Sequence, residues 1–108
     1  MKKISVTIVL AVSIFLFLAI SCSDRKSMKM AEESFNKNCA LCHPGGGNTV
    51  NPAKPLHKKD LDANNIKTEE DIVKIMREPG PGMNKFDENT IPDKEAKEIA
   101  GYILNTFK

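Results

Sequence analysis

The sequence has little of what several common classes of small protein require. Its 108 residues contain three Cys and two His, few ligands for a structural zinc site that usually needs two Cys or His pairs. The strand-helix-strand pattern that accompanies a thiol-redox motif is missing. Basic residues are scattered and do not alternate with aromatic residues, which argues against a nucleic-acid surface. We find no internal repeat and no low-complexity tract.

A basic N-terminus and an apolar run open the chain. Lys2 and Lys3 precede residues 8–20, which are apolar apart from Ser13. A membrane-spanning helix needs roughly 20 apolar residues, so this run is short for one. The pattern therefore predicts a secretory signal peptide over residues 1–21. An uncleaved anchor is the alternative if the weaker apolar start at Ile4 is counted.

Residues 18–22, Leu-Ala-Ile-Ser-Cys, resemble a bacterial lipobox, although Ala19 stands where Leu is commoner. Cleavage before Cys22 would leave this cysteine as a lipid-carrying N-terminus, and a lipoprotein cysteine provides the two acyl-type anchors that stable attachment needs. Ordinary cleavage that leaves a free thiol is the alternative. We predict a tether over residues 22–28 and one domain over 29–108, exported and held on the periplasmic side of the envelope or at the outer membrane.

The mature chain is small and near neutral. Cleavage before Cys22 would leave 87 residues, enough for one domain with a small core. Loss of Lys2 and Lys3 changes the balance from 16 basic against 14 acidic residues to 14 against 14. A covalently held apolar cofactor would add substantially to such a core.

The sequence Cys39-Ala40-Leu41-Cys42-His43 is a C-x-x-C-H motif, typical of covalent haem c attachment. The two thiols can add to the two haem vinyl groups and form thioethers. The two-residue gap allows one helical turn to present both sulfurs to one flat macrocycle. His43 then faces the iron and can supply an axial nitrogen. Zinc binding and thiol redox chemistry are the competing interpretations.

Hydrophobic periodicity predicts an all-α fold of three or four helices with long loops around one haem. The first helix is expected over residues 28–40 and a short one over 57–64. Thr68 should cap a third helix that stops before Pro79. The last helix should open at residues 90–92 and run towards Lys108.

The residue that fills the sixth iron position decides between electron transfer and ligand chemistry. The downstream candidates are His57, Met76, Met83 and the lysines. Met76 lies on an apolar helical stripe and is expected in the core, whereas His57 lies among lysines and is expected at the surface. Met83 lies on a loop stiffened by glycine and proline, 40 residues after His43, so we favour it as the ligand.

From about Met30 onwards the chain resembles the class I monohaem cytochromes c, and most of all cytochrome c6. It is also similar to the OmcF-like outer-membrane lipoprotein cytochromes of metal-reducing bacteria. The features that match cytochrome c6 are Phe35 before the C-x-x-C-H motif, Gly46-Gly47-Asn48, Pro52, Leu56, Lys59-Asp60-Leu61, Thr68-Glu69-Glu70-Asp71-Ile72, Gly82-Met83-x-x-Phe86 and Ile99-Ala100-x-Tyr102-Ile103. The features that match the OmcF-like proteins are Gly46-Gly47-Asn48-Thr49-Val50, Pro79-Gly80-Pro81-Gly82-Met83 and the lipobox.

The resemblance implies His43 and Met83 as axial ligands. It also implies that the Pro52 carbonyl accepts a hydrogen bond from the other imidazole nitrogen, and that the first and last helices cross. Asn84 departs from the family pattern, which usually has Pro after the ligand Met.

These features predict a one-electron carrier in a respiratory or extracellular electron-transfer chain, not an enzyme. The expected partners are redox proteins such as other cytochromes, and the membrane through Cys22. We expect a monomer without nucleic-acid binding. A haem enzyme or small-ligand sensor is the alternative, but it would need a labile sixth site and a polar distal group. A third interpretation is an assembly factor with a structural haem.

Overall fold

The computed structural model describes residues 23–108, and all regular secondary structure within this range is helical. Helix α1 covers residues 23–38. A 3-10 turn at Pro44–Gly46 precedes α2 (Lys58–Ala63), α3 (Glu69–Arg77) and α4 (Asp93–Thr106). The all-α prediction is confirmed. The predictions about the signal peptide and Cys22 concern residues outside the described range.

Helix α1 extends further towards the N-terminus than the periodicity predicted. Residues 23–28, which we expected to form a tether, are helical. Two serines of α1 hydrogen-bond to α4: the Ser27 hydroxyl donates to Glu98 Oε1 at 3.2 Å, and the Ser34 hydroxyl donates to Glu95. Ser27, near the end of the segment expected to be a tether, therefore contacts α4.

A capping box begins helix α3 at the predicted residue. The Thr68 hydroxyl accepts from the Asp71 backbone N–H at 3.2 Å, and the Asp71 carboxylate accepts from the backbone N–H groups of Lys67 and Thr68 at 2.9 and 3.0 Å. These bonds favour the charged carboxylate and lower the pKa of Asp71. The reciprocal bonds satisfy donors that would otherwise lack a partner at the helix start.

The core lies where α1 and α3 pack against α4. Phe35 of α1 is 2% exposed, and its ring centroid lies 5.4 Å from that of Tyr102 on α4. The contact confirms that the first and last helices meet. Met76 is buried in the same cluster, as its position on the apolar stripe predicted. The loops that follow α1 and α3 pack against this core.

Between residues 23 and 108, no helix combines the length and apolar character needed to cross a bilayer.

Candidate functional site

The C-x-x-C-H motif follows α1 as a hydrogen-bonded turn. The Cys39 N–H donates to the Phe35 carbonyl at 2.8 Å, and the carbonyl of Cys39 accepts from Cys42 N–H at 3.1 Å and His43 N–H at 2.9 Å. Both cysteines are half-buried and free of any disulfide. The turn holds the two thiols and the imidazole in one short segment, as the spacing predicted.

The ring of His43 is oriented by a backbone carbonyl four residues further on. His43 Nδ1 lies 2.8 Å from the Gly47 oxygen. A carbonyl oxygen can only accept, so the proton of this hydrogen bond belongs to Nδ1. The other nitrogen, Nε2, then carries the lone pair that a metal ion needs.

This hydrogen bond differs from the one implied by the resemblance. We expected the Pro52 carbonyl as the acceptor, but Pro52 is exposed and Gly47 takes that place. The 3-10 turn at Pro44–Gly46 explains the difference, because it folds the backbone back beneath the imidazole within four residues.

Gly46 allows the end of α4 to approach this turn closely. Its φ of +81° lies in the left-handed region, and a Cβ there would come within 2.5 Å of Phe107 Cγ. Phe107 also contacts Phe35, with ring centroids 5.4 Å apart. The Gly46 carbonyl accepts from Leu56 N–H. The C-terminal aromatic ring therefore braces the segment that carries His43, a contact that no local sequence signal reveals.

Met83 lies on the irregular chain between α3 and α4. It is half-buried and packs against the core cluster. Gly82 before it has φ +89°, and a Cβ there would come within 2.7 Å of Val50 Cγ1. Val50 belongs to the chain that follows His43. The loops that carry His43 and Met83 therefore touch through Val50 and Gly82.

A cleft of about 190 Å³ brings four of the predicted site residues together. Cys39, Cys42, His43 and Met83 all line it. Pro52, His57 and Met76 do not. His57 is half-buried with its ring perpendicular to that of Phe107, and Met76 is buried in the core. The other residues that line the cleft are Asn38, Asn48, Val50, Asn51, Pro81, Gly82, Asn84 and Phe86.

The chemistry of this cleft fits a covalently attached haem. It offers two thiols, an imidazole with an available nitrogen and a thioether, the donor set of a haem c with His and Met axial ligands. Burial raises the pKa of the Cys39 thiol to about 11, so this group stays protonated at neutral pH and is not set up as a free thiolate nucleophile. Val50 and Phe86 add apolar surface for a flat macrocycle.

Comparison with known proteins agrees with this chemistry. The family described as "Cytochrome C oxidase, cbb3-type, subunit III" matches residues 26–103. Cytochrome c6 of Cyanidium caldarium is 33% identical over 79 residues, which cover 73% of this chain and 71% of the relative. Cytochrome c6 of Gloeothece citriformis is 32% identical over 104 residues, which cover 96% of this chain and 94% of the relative.

Solved structures give the same assignment. The outer membrane cytochrome OmcF of Geobacter sulfurreducens superposes with a TM-score of 0.70 at 44% identity, covering 72% of this chain and 99% of that one. Cytochrome c6 of the diatom Phaeodactylum tricornutum superposes with a TM-score of 0.66 at 34% identity, covering 71% and 90%. The chain therefore belongs to the class I c-type cytochromes of the cytochrome c6 kind, electron carriers that are not enzymes and hold one covalently attached haem c.

Proposed function

We propose that this cytochrome is a membrane-tethered one-electron carrier of a respiratory or extracellular electron-transfer chain. In this proposal Cys39 and Cys42 attach the haem through thioethers, and His43 and Met83 are its axial ligands. The observation that carries the proposal is that these four side chains line one cleft. A haem held by these four side chains would have its axial positions filled by protein and would need no bound substrate.

The cofactor supplies the one-electron change, and the side chains adjust its energy. The hydrogen bond from His43 Nδ1 to the Gly47 carbonyl fixes the imidazole and makes Nε2 a more basic donor. The Met83 thioether is a soft, weakly basic donor that favours ferrous iron, so it holds the reduction potential high. Such a ligand pair suits a carrier that must accept and release an electron without rearrangement.

Visible spectra of the purified mature protein test the ligands. The oxidised protein should show the weak far-red charge-transfer band that arises from Met sulfur bound to ferric iron. The reduced protein should bind carbon monoxide only slowly. Met83→Ala should abolish the band and admit carbon monoxide, whereas Met83→His should lower the potential. Met76→Leu is the matched control, because Met76 is a core methionine and its loss should leave the band intact. Fast carbon monoxide binding by the wild type would contradict Met83 as a firm ligand.

The membrane tether rests on Cys22 and the preceding lipobox-like sequence. The similarity to a protein described as an outer membrane cytochrome supports the same location. Cys22→Ser should move the protein from the membrane fraction to the soluble periplasmic fraction, whereas Ser23→Ala should leave it with the membrane. A Cys22→Ser protein that is processed and still fractionates with the membrane would exclude the lipid anchor. The released protein should elute as a monomer.

A further inference from the structure

The side chain of Arg77 joins three parts of the chain at the C-terminal end of α3. Its Nη1 donates to the carbonyl oxygens of Phe86 at 3.0 Å and Ile91 at 2.9 Å, and its Nη2 donates to Asp93 Oδ1 at 2.7 Å. The Arg77 side chain is 19% exposed, whereas that of Asp93 is 64% exposed. The two hydrogen bonds to carbonyl oxygens are therefore better shielded from solvent than the ion pair. They contribute more than the ion pair to holding these parts of the chain together.

Both backbone polar groups of Phe86 are hydrogen-bonded to the end of α3. Its N–H donates to the carbonyl of Met76 at 2.9 Å, and its carbonyl accepts from Arg77. Phe86 lies three residues after Met83 and lines the same cleft. Consecutive residues at the end of one rigid helix therefore fix the point where the Met83 loop rejoins the core.

The two ends of the loop are restrained differently. Pro79 and Pro81 restrict the backbone before Met83, because proline fixes its own φ and biases the preceding residue. Residues 84–86, Asn-Lys-Phe, contain no proline. Within the loop itself Met83 N–H donates to Gly80 only at 3.4 Å, a long contact. The exit of the loop therefore depends on hydrogen bonds from α3.

We propose that Arg77 is a positioning residue for Met83. By holding the Phe86 carbonyl, its guanidinium limits how far the Met83 sulfur can withdraw from the iron in either oxidation state. This inference rests on the proposed role of Met83 as the axial ligand. It means that Arg77 on α3, which does not line the cleft, helps to maintain the bond between the Met83 sulfur and the iron. Arginine suits the task because its planar fork satisfies two carbonyls and a carboxylate together, which a lysine ammonium cannot reproduce with the same geometry.

The test compares three variants of the holoprotein. Arg77→Met keeps a long apolar stem but removes every donor. Arg77→Lys keeps the charge and one donor position. Asp93→Asn is the matched control, because it weakens the ion pair and leaves both carbonyl bonds in place. The readouts are the rate of carbon monoxide binding to the reduced protein and the urea concentration that abolishes the far-red band. Far-UV circular dichroism follows global unfolding of the same samples.

Arg77→Met should bind carbon monoxide about tenfold faster than wild type or more, since each tenfold corresponds to about 1.4 kcal/mol and the lost bonds have a charged donor. Its far-red band should disappear at a urea concentration clearly below that of global unfolding. Arg77→Lys should fall between Arg77→Met and wild type, and Asp93→Asn should match wild type in both readouts. If Arg77→Met does not assemble, Arg77→Lys carries the same comparison.

Two results would overturn the role of Arg77. One is equal carbon monoxide rates in the Arg77 variants and wild type. The other is an Asp93→Asn variant that behaves like Arg77→Met, which would reduce the effect to general stability. Failure of the axial-ligand proposal looks different, because wild type itself would then lack the band and bind carbon monoxide fast. Hydrogen exchange gives a further readout: amides of residues 82–86 should exchange faster in Arg77→Met, while those of residues 39–47 stay unchanged.

Discussion

The two walls of the cleft are built in different ways. The His43 side, residues 39–57, is held largely by short-range backbone bonds, such as Gly46 N–H to His43, Gly47 N–H to Pro44 and Thr49 N–H to Cys42. The Met83 side, residues 78–92, has few such bonds of its own and is anchored to α3 through Phe86. His43 is therefore positioned mainly by local bonds, whereas Met83 is positioned mainly by tertiary contacts.

This contrast suits an electron carrier. The local bonds of the His43 side hold Cys39, Cys42 and His43 together in one turn. The Met83 side is more easily opened, because segments with few local bonds unfold locally at a lower free energy than the core. Substitutions on the two sides of the cleft should therefore have different effects on global stability and on the accessibility of the Met83 site.

Gly46→Ala should cause the largest loss of stability, since it affects both the His43 side and the core. A left-handed φ costs a non-glycine residue about 1 kcal/mol or more. The new Cβ would also meet the ring of Phe107, and over-packing of this kind costs about 1–3 kcal/mol more. In denaturant unfolding, the free energy of unfolding should fall by the sum of the backbone cost and the over-packing cost.

Gly45→Ala is the matched control for that substitution. Gly45 has a similar φ of +61°, but a Cβ there meets nothing within 4 Å. Its loss of stability should be about 1 kcal/mol, from the backbone alone. Equal losses in the two variants would show that the Phe107 contact does not brace the His43 side.

Gly82→Ala should act locally on the Met83 side. The left-handed φ costs about 1 kcal/mol, and the new Cβ would meet Val50 Cγ1. Val50 is 57% exposed, so its side chain can move away and global stability should fall less than in Gly46→Ala. Carbon monoxide binding to the reduced protein should become several times faster, because the strain lies next to Met83.

A double mutant separates the two parts of the Gly82→Ala effect. Val50→Ala removes the Cγ1 atom, so Val50→Ala/Gly82→Ala should recover the part that comes from the clash and keep the part that comes from φ. Gly80→Ala is the control on the same loop, since a Cβ there meets nothing within 4 Å. No recovery in the double mutant would show that the two loops do not constrain each other.

Thr68→Ala tests how far the Met83 side depends on α3. Loss of the cap should cost about 1 kcal/mol of stability. Because Met76 and Arg77 lie at the other end of the same helix, the far-red band should also be lost at a lower urea concentration, while amides of the His43 side remain protected. A variant in which both walls lose protection equally would remove the distinction between them.

The capping box also makes a small contribution that depends on pH. Hydrogen bonds from the Lys67 and Thr68 backbones lower the pKa of Asp71, so its contribution is fully present above the ordinary Asp range and is lost as pH falls below about 4. Asp71→Asn should be less stable than wild type at neutral pH, and the gap should narrow in acid. Asp87 lies on the Met83 side, and hydrogen bonds from Thr90 lower its pKa. Because Asp87 is present in both proteins, its titration should affect both equally and leave the gap unchanged. A constant gap between pH 6 and pH 3 would contradict this linkage.

Ionic strength should have the smallest effect. Among residues 23–108, the side chains that line the cleft carry no formal charge, and the 14 basic and 14 acidic residues of residues 22–108 sum to zero. Electron-transfer rates with a small neutral redox partner and with the native partner should therefore vary little with salt. A steep dependence with the native partner would reveal that lysines such as Lys54, Lys58, Lys59 and Lys85 form a patch beside the cleft.

Much of the fold followed from local signals. Thr68 followed by acidic residues predicted the start of α3, and the clean spacing of Ile99, Ala100 and Ile103 predicted α4. The length of α1 was underestimated because residues 23–27 are polar and give no apolar periodicity, and the hydrogen bond from Ser27 to Glu98 joins residues 71 positions apart. Long-range partners of this kind have no periodic pattern.

The cofactor chemistry followed from the sequence alone, because C-x-x-C-H places two thiols and an imidazole in one turn whatever the rest of the chain does. The sequence also indicated Met83 over Met76, since one lies on a Gly/Pro loop and the other on an apolar helical stripe. The three-dimensional structure showed which groups hold these side chains in place. The Gly47 carbonyl accepts the hydrogen bond from His43 Nδ1 because two left-handed glycines fold the turn back, which is a local effect of backbone conformation. Arg77 and Phe107 act across 9 and 61 residues, respectively, distances over which only the packed core brings side chains together.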